Sequence, residues 1–192
     1  MAWPQQSGGS RRRRPEPPAE VESSEEMETP ARTYEFAREI ALRLLTTRAR
    51  SAKELRDALA AKGVPDKITD EVLERFGDVG LVNDASFAQA WVESGQRRLR
   101  SRRGIAQELG RKGIDKETAG EALAAVDDEA ELAAARELAG KRLRSMASQP
   151  REVARRRLAG VLARRGFSAG VVTCVVSETT GATEWASDNE FD

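Results

Sequence analysis

The chain has 192 residues, of which 33% are charged and 5% are aromatic, and its 32 basic and 32 acidic side chains cancel to a formal net charge of zero. It has no histidine and a single cysteine, which excludes a disulfide framework and argues against a zinc site. The apolar residues are mostly Ala, Leu and Val, a composition typical of helices that pack through narrow apolar faces, so we predict an all-α protein.

Residues 1–32 form a Pro/Arg/Glu-rich segment that holds five of the seven prolines and the arginine block Arg11 to Arg14. Because so few of these residues are apolar, we predict a disordered tail. The arginine block either adds weak affinity for nucleic acid or an acidic protein face, or is a solvated tail without a role. Pro15 to Pro18 follow where a signal sequence has its hydrophobic core, and no apolar run reaches the roughly 18 residues of a membrane span. We therefore expect a soluble, cytoplasmic protein.

A first unit of three helices is predicted over residues 33–80. Ser51 and Glu54 have the spacing of a capping box, in which a hydroxyl and a carboxylate satisfy backbone donors reciprocally at the start of the second helix. Gly63 allows the left-handed conformation that ends this helix, and Pro65 starts the third. Apolar residues at helical spacing define the buried face of the first helix: Ala37, Ile40, Ala41, Leu44 and Leu45.

A second unit is predicted over residues 81–126. Asn83 and Asp84 cap its first helix, Ser101 caps the middle helix, and Asp115 caps the third. We interpret the two aromatic residues of the first helix as packing residues, because they fall on its apolar face: Phe87, Ala88, Trp91 and Val92.

A third unit is predicted over residues 127–180, followed by a loose acidic tail at 181–192. Its first helix is long, Pro150 fits the first turn of the next helix, and Ser168 caps the last one. The last helix contains a valine-rich run, in which we interpret Cys174 as a small buried hydrophobe.

The three units are imperfect copies of one another. Shifting the middle helix of the second unit back by fifty positions aligns Ile105 with Leu55 and Leu109 with Leu59, and a shift of fifty-three positions the other way reaches Leu158 and Leu162. Each middle helix ends in a basic-Gly-apolar triplet: Lys62-Gly63-Val64, Lys112-Gly113-Ile114 and Arg165-Gly166-Phe167. The period predicts three tandem three-helix repeats. Because each unit is small, we expect neighbouring repeats to share apolar surface and to form an elongated, curved body.

The sequence lacks the parts of a catalytic site. It has no histidine to act as a general base, no nucleophile with a partner, and no glycine-rich phosphate loop. The acidic residues from Asp127 to Glu131 are ordinary at the start of a helix, where they complement the helix dipole. We therefore predict a protein that is not an enzyme and that uses no metal or cofactor. A metal-dependent nuclease is the enzymatic alternative, and it requires divalent-dependent cleavage by the purified protein.

Basic residues are concentrated in two places. No acid interrupts the run from Arg97 to Arg103, and the stretch from Arg136 to Arg165 holds ten basic residues opposed by Glu137 and Glu152. Such segregation of charge fits a groove that contacts an acidic protein surface or phosphates. No helix-turn-helix recognition pattern stands out, so sequence-specific DNA readout is not predicted.

The middle of the chain resembles the RecX family of recombination regulators. The family pattern is roughly Leu-Asn-Asp-x-x-Phe-Ala followed by Ile-x-x-Glu-Leu-x-x-Lys-Gly-Ile. In this chain the matching residues are Val82-Asn83-Asp84, Phe87-Ala88, Ile105, Glu108-Leu109 and Lys112-Gly113-Ile114. The upstream segment at 37–59 is similar to the first unit of the family, and the resemblance covers roughly residues 34–180. Family members often have a glycine near the start of the second unit's middle helix, where this chain has Ser101 and, three residues on, Gly104.

The resemblance implies a fold, a partner and an activity. RecX-like proteins consist of three-helix repeats and lie in the helical groove of the RecA recombinase filament. They suppress its ATP hydrolysis, strand exchange and co-protease activity, and so damp recombination and the SOS response. From this we expect a monomer without cofactors whose partner is the RecA filament on single-stranded DNA, with weak direct DNA contact. The alternative is a single-stranded DNA-binding protein without sequence specificity that competes with the recombinase for DNA.

Charge alone suggests which residues contact the partner. We predict that basic residues of the second and third units do so, namely Arg97, Arg98, Arg100, Arg102, Arg103, Arg151, Arg155, Arg156 and Arg157.

Overall fold

The computed structural model describes residues 30–181. Residues 1–29 and 182–192, which make up most of the two predicted tails, lie outside the described residues. The prediction that the tails are disordered therefore also falls outside them. Within 30–181 the chain forms nine helices and no strand, which confirms the predicted all-α fold of three tandem three-helix repeats.

The helices follow one another in three sets of three. The first repeat has α1 (Pro30–Thr47), α2 (Ala52–Ala60) and α3 (Asp66–Asp78). The second has α4 (Asp84–Arg97), α5 (Arg102–Arg111) and α6 (Lys116–Leu123), and the third has α7 (Asp128–Arg144), α8 (Arg151–Arg164) and α9 (Ala169–Gly181). Among these residues no helix is both long enough and apolar enough to cross a membrane.

Side-chain caps begin most of the helices, as their sequences predict. Asn83 accepts a hydrogen bond from the Ser86 amide at 2.8 Å, and Asp115 accepts one from the Thr118 amide at 2.9 Å. Ser101 and Ser168 cap α5 and α9 in the same way, and Asp127 caps α7. Each cap satisfies a backbone donor that has no partner inside the helix.

Pro65 starts α3 as predicted, since it is the N-cap residue and its carbonyl accepts a hydrogen bond from the Thr69 amide at 3.0 Å. Pro150 is the N-cap residue of α8, one position before the predicted first turn. The capping box of α2 differs from the prediction. Ser51 caps α2 by accepting from the Glu54 amide at 3.2 Å, but the Glu54 carboxylate does not complete the capping box. It bonds Arg48 and Lys112 instead, because two cations compete successfully with a backbone amide for its oxygens.

Each repeat has its own apolar core. The buried residues fall into three clusters, and each cluster is drawn from the helices of one repeat and the connection after them. The side chain that crosses between the clusters is Leu99, which packs against the third. The expectation that neighbouring repeats share apolar surface is met at the boundary between the second and third repeats by Leu99, while the three cores stay separate clusters. Inside each repeat the apolar faces of the three helices pack against one another. Neighbouring repeats contact each other through the ends of their middle helices.

Cys174 is exposed, so the interpretation of this residue as a buried hydrophobe is wrong. In α9 the residues that face the core are Val175, Val176 and Thr180, and Cys174 points away from them. Its Sγ atom lies 3.2 Å from Glu178, and this hydrogen bond raises the pKa of the thiol. The apolar run concealed the buried stripe, because a segment that is apolar on all sides shows no periodicity.

Candidate functional site

Two joints connect the three repeats, and they are built alike. At the first joint the Ser51 hydroxyl, at the start of α2, donates to the Lys112 carbonyl at 2.6 Å, at the end of α5. At the second joint the Ser101 hydroxyl, at the start of α5, donates to the Arg165 carbonyl at 3.2 Å, at the end of α8. The serine that caps each middle helix thus also contacts the end of the next middle helix.

The second joint brings the backbones of two repeats into direct contact. The Ser101 amide donates to the Arg165 carbonyl at 3.2 Å, and a Cβ atom on Gly104 would lie 2.5 Å from that same oxygen. A Cβ atom on Gly166 would lie 2.8 Å from the Cα of Gly104. Only glycine fits at these two positions, because any side chain would force the repeats apart.

The connection between α4 and α5 holds a strained residue beside this contact. Leu99 has a φ of 53°, the one positive value at a non-glycine position in residues 30–181. The Arg100 amide bonds the Gly95 carbonyl at 3.0 Å, which is the closure of a Schellman motif, a motif that usually has glycine at the left-handed position. Leucine there costs about 1 kcal/mol of backbone strain, and packing of its side chain against the core of the third repeat offsets that cost.

A cleft lined by five basic side chains opens at the second joint. Its walls come from both repeats, and we call it the cationic cleft: Arg97, Arg98, Leu99, Leu138, Lys141, Arg142, Ser145 and Arg165. No carboxylate belongs to this lining. It is the feature of the described chain that best fits an anionic partner, since repulsion among its cations falls when an anion enters.

The cations of the cleft differ in how firmly they are held. Arg165 donates to the carbonyl of Arg98 at 2.5 Å, which ties its side chain to the joint. Lys141 pairs with Glu137 at 2.6 Å, and Arg97 lies 3.7 Å from Glu93. The side chains of Arg98 and Arg142 have no ion-pair or hydrogen-bond partner among residues 30–181, so they are the ones available to a ligand.

Arg100 lies next to the cleft but faces inward. Its guanidinium bonds the Glu108 carboxylate, which also accepts a hydrogen bond from the Trp91 indole at 3.1 Å. Burial and the neighbouring cations Arg165, Arg98 and Arg111 lower the pKa of Arg100. This residue is therefore committed to a contact within its own repeat.

The structure separates the remaining predicted arginines from the cleft. Arg102 and Arg103 line a different cleft, where Asp128 and Glu131 also lie and partly cancel their charge. The predicted partner residues thus do not all lie in one place.

A groove between α8 and α9 holds two more of them, Arg155 and Arg156, over an apolar floor that includes Val172 and Val176. Arg157 donates to Gln149 at 3.2 Å, and Arg151 is exposed at the start of α8.

Three residues of the cationic cleft were missing from the prediction of partner residues: Lys141, Arg142 and Arg165. All three belong to the basic concentration of the third repeat, so the charge pattern contained them. The repeat alignment carried a further signal, since Arg165 occupies the position of Lys112 at the end of a middle helix. Composition could not show that this end faces the preceding repeat.

The first joint has a mixed set of charges. Glu54 accepts hydrogen bonds from Lys112 at 2.7 Å and from Arg48 at 2.9 Å. Burial alone raises the pKa of the Glu54 carboxyl, but the hydrogen bonds from Arg48 and Lys112 outweigh burial and lower this pKa to about 2. The Lys112 ammonium also lies 4.1 Å from the centroid of the Trp91 ring, within the range of a cation–π interaction.

The described residues bring no metal site together. Among residues 30–181 no group of three or more His, Cys, Asp or Glu side chains is placed to hold an ion.

Comparisons with known proteins agree with the repeat architecture. Models of the first, second and third three-helix domains of RecX match residues 37–76, 83–123 and 129–176. The chain is 45% identical over 150 residues to the regulatory protein RecX of Thermobifida fusca, a match that covers 78% of this chain and 81% of the relative. It is 43% identical over 156 residues to the regulatory protein RecX of Streptomyces lividans, covering 81% and 83%.

The fold is also similar to solved structures. A crystal structure of RecX from Lactobacillus salivarius superposes with a TM-score of 0.66 at 22% identity, covering 79% of this chain and 99% of the other. A second crystal structure of the regulatory protein RecX gives a TM-score of 0.65 at 23% identity, covering 76% and 72%.

Proposed function

Because the chain belongs to the RecX family of regulatory proteins, we propose that it binds the RecA recombinase filament on single-stranded DNA and inhibits it. The inhibited activities are ATP hydrolysis, strand exchange and co-protease function, so the protein modulates recombinational DNA repair and the SOS response. It acts in the cytoplasm as a monomer, without catalysis and without a cofactor.

The cationic cleft is the observation that carries this proposal. Five basic side chains from two repeats surround one opening, and two of them, Arg98 and Arg142, have no partner among the described residues. An anionic surface of the filament relieves the repulsion between these cations, and a site shared by two repeats suits a partner larger than a metabolite. The groove at Arg155 and Arg156 offers a second contact with fewer cations, and Glu152 also lines it.

Competition for single-stranded DNA is the second candidate function, and the charge of the cleft favours it as well. Its lining holds no aromatic side chain on which bases could stack, whereas proteins specialised for single strands usually stack bases on aromatic rings. A protein surface is therefore the better match, with DNA contact limited to phosphates.

The experiment that tests the proposal measures RecA ATPase on single-stranded DNA at a ratio of far less than one molecule of this protein per recombinase. We expect strong inhibition, because a bound molecule blocks growth or turnover across neighbouring subunits. Fluorescence anisotropy of labelled DNA without recombinase accompanies it. DNA binding that is tight, falls steeply with salt and occurs without effect on substoichiometric ATPase would favour the competition mechanism.

A further inference from the structure

The groove between α8 and α9 combines cations with an apolar floor. Arg155 and Arg156 line its α8 side, Val172 and Val176 of α9 lie in its floor, and its volume is about 340 Å³. This volume is at the low end of the range of ligand pockets, so it suits one bulky side chain better than the surface of a folded domain. The groove therefore fits a short peptide in which an aromatic residue lies beside acids.

The chain's own acids neutralise these cations only weakly. Glu152 lies 3.3 Å from Arg155, but 80% of the Glu152 side chain and 43% of the Arg155 side chain are exposed, so this ion pair contributes little. Arg156 has no ion-pair or hydrogen-bond partner among residues 30–181. Pro150 leaves the start of α8 without a side-chain cap, and the helix dipole adds positive potential at this end of the groove. The groove thus attracts an anionic peptide.

A segment of matching character follows α9 directly in the sequence. Residues 182–192 contain four acids and two aromatic residues, and no lysine or arginine. Trp185 lies between two of the acids, with Glu184 immediately before it and Asp188 three positions after it. The segment therefore complements the groove in charge and in apolar character.

This segment begins beside the groove and is long enough to cover it. Ser177 lines the groove one helical turn before α9 ends at Gly181. From Gly181 back to Val172 the helix measures about 14 Å. An extended chain of eleven residues spans up to about 36 Å, and the four residues that end at Trp185 span up to about 13 Å. Trp185 can therefore reach the apolar floor while α9 stays intact.

We infer that residues 182–192 fold back onto the groove between α8 and α9. Trp185 covers the apolar floor, and the acids on either side of it pair with Arg155 and Arg156. The segment is thus an internal occupant that competes with an external acidic partner for this groove. Competition with the filament rests on the proposed function, whereas the docking of the segment concerns this protein alone and is tested without a partner.

A paramagnetic label on the segment tests the docking in the full chain. In a Cys174→Ser background, Asn189→Cys carries a nitroxide, and the loss of NMR signal is measured at backbone amides of the same molecule. Ala159 lines the groove, whereas Arg136 of α7 pairs with Glu178 on a different face of α9. We expect the amide of Ala159 to lose most of its signal and the amide of Arg136 to lose little. Equal losses at the two amides would show a segment that samples both sides freely and would overturn the docking.

Charge reversal identifies the cations that hold the segment. Arg155→Glu/Arg156→Glu should reduce the signal loss at Ala159 at least about twofold, because reversal replaces attraction by repulsion. The matched control, Arg98→Glu/Arg142→Glu, changes the charge equally in the cationic cleft and should leave the loss unchanged. A control that reduces the loss as much as the groove variant would contradict specific pairing in the groove.

Two further measurements test the aromatic anchor and the possibility of a second copy. Trp185→Ser should also reduce the signal loss at Ala159, because the apolar floor loses its aromatic cover. An unchanged loss would contradict the role of Trp185. Mixing chains that carry only the nitroxide with chains that carry only nitrogen-15 separates docking within one molecule from docking between two. Signal loss at Ala159 in the mixed sample would assign the segment to a second copy and contradict the inference.

Discussion

Single atoms decide how closely the repeats approach one another. At the second joint Gly104 packs its Cα against the end of α8, and the structure leaves no room for a methyl group there. The same helix contains Gly110, around which a Cβ atom would meet nothing within 4 Å. The two glycines thus allow the same substitution to be compared at a contact and at a free surface.

Gly104→Ala should lower the free energy of unfolding by about 1–3 kcal/mol, because the new methyl group must push Arg165 away. Gly110→Ala should raise it by about 0.5–1 kcal/mol, because alanine favours the helix. Urea unfolding followed by circular dichroism measures both. Equal effects of the two substitutions would show that the close contact at Gly104 is absent.

The Glu54 carboxylate makes stability depend on pH. Its pKa is lowered from 4.5 to about 2 in the folded protein, so its contribution to stability is present above pH 4.5 and is lost as the pH falls towards 2. Glu54→Gln should destabilise the protein by about 1–3 kcal/mol at neutral pH, with the difference from the original protein shrinking across this acid range. Urea unfolding at a series of pH values tests it. Glu74→Gln, at an exposed carboxylate without an ion pair in residues 30–181, serves as the control.

At the scale of the helix, local sequence predicts where an element starts better than it predicts what its ends contact. The caps at Asn83, Ser101 and Asp115 were predicted correctly because each bond joins residues three positions apart. The prediction of a capping box at Glu54 was wrong because a lysine 58 positions away binds the Glu54 carboxylate instead. The buried stripe of α9 was hidden by the uniform apolar character of its sequence.

Ser101 carries two roles that can be separated by comparison with Ser168. Both serines cap a helix, but the Ser101 side chain also bonds the next repeat, whereas the Ser168 hydroxyl bonds within its own repeat. Ser101→Ala should cost about 1–2 kcal/mol for the cap alone and about a further 0.5–1.5 kcal/mol for the contact between repeats. Calorimetric unfolding measures both variants. If Ser168→Ala lost as much stability as Ser101→Ala, the whole effect of Ser101→Ala would come from the loss of the helix cap.

At the scale of the molecule, the periodicity of fifty to fifty-three residues predicted the number and the order of the repeats. The periodicity could not predict the joints, because their hydrogen bonds join residues 61 and 64 positions apart. Such contacts depend on how one repeat is placed against the next, which the sequence of a single helix does not determine. The site prediction shows the same limit. Charge identified Arg97 and Arg98, but the fold adds Lys141, Arg142 and Arg165 to them and places Arg102 and Arg103 beside acids.

We propose that the cationic cleft is the main contact with the filament and that the α8–α9 groove is a lesser one. Reversing Arg155, Arg156 and Arg157 to Glu should therefore weaken inhibition of RecA ATPase severalfold without abolishing it. Unchanged inhibition would remove the groove from the contact surface.

Substoichiometric inhibition of RecA ATPase by an Arg98→Glu/Arg142→Glu variant would show whether the cationic cleft contacts the filament. Neither side chain has an ion-pair partner in residues 30–181, so the fold should survive the change, as circular dichroism would verify. The control, Lys67→Glu/Arg75→Glu, changes the charge equally on α3, where both side chains are exposed. We expect the cleft variant to lose at least about 90% of the inhibition, since reversal replaces attraction by repulsion, and the control to keep it. Full inhibition by a folded cleft variant, or equal losses in both variants, would contradict the assignment of the cleft as the contact with the filament.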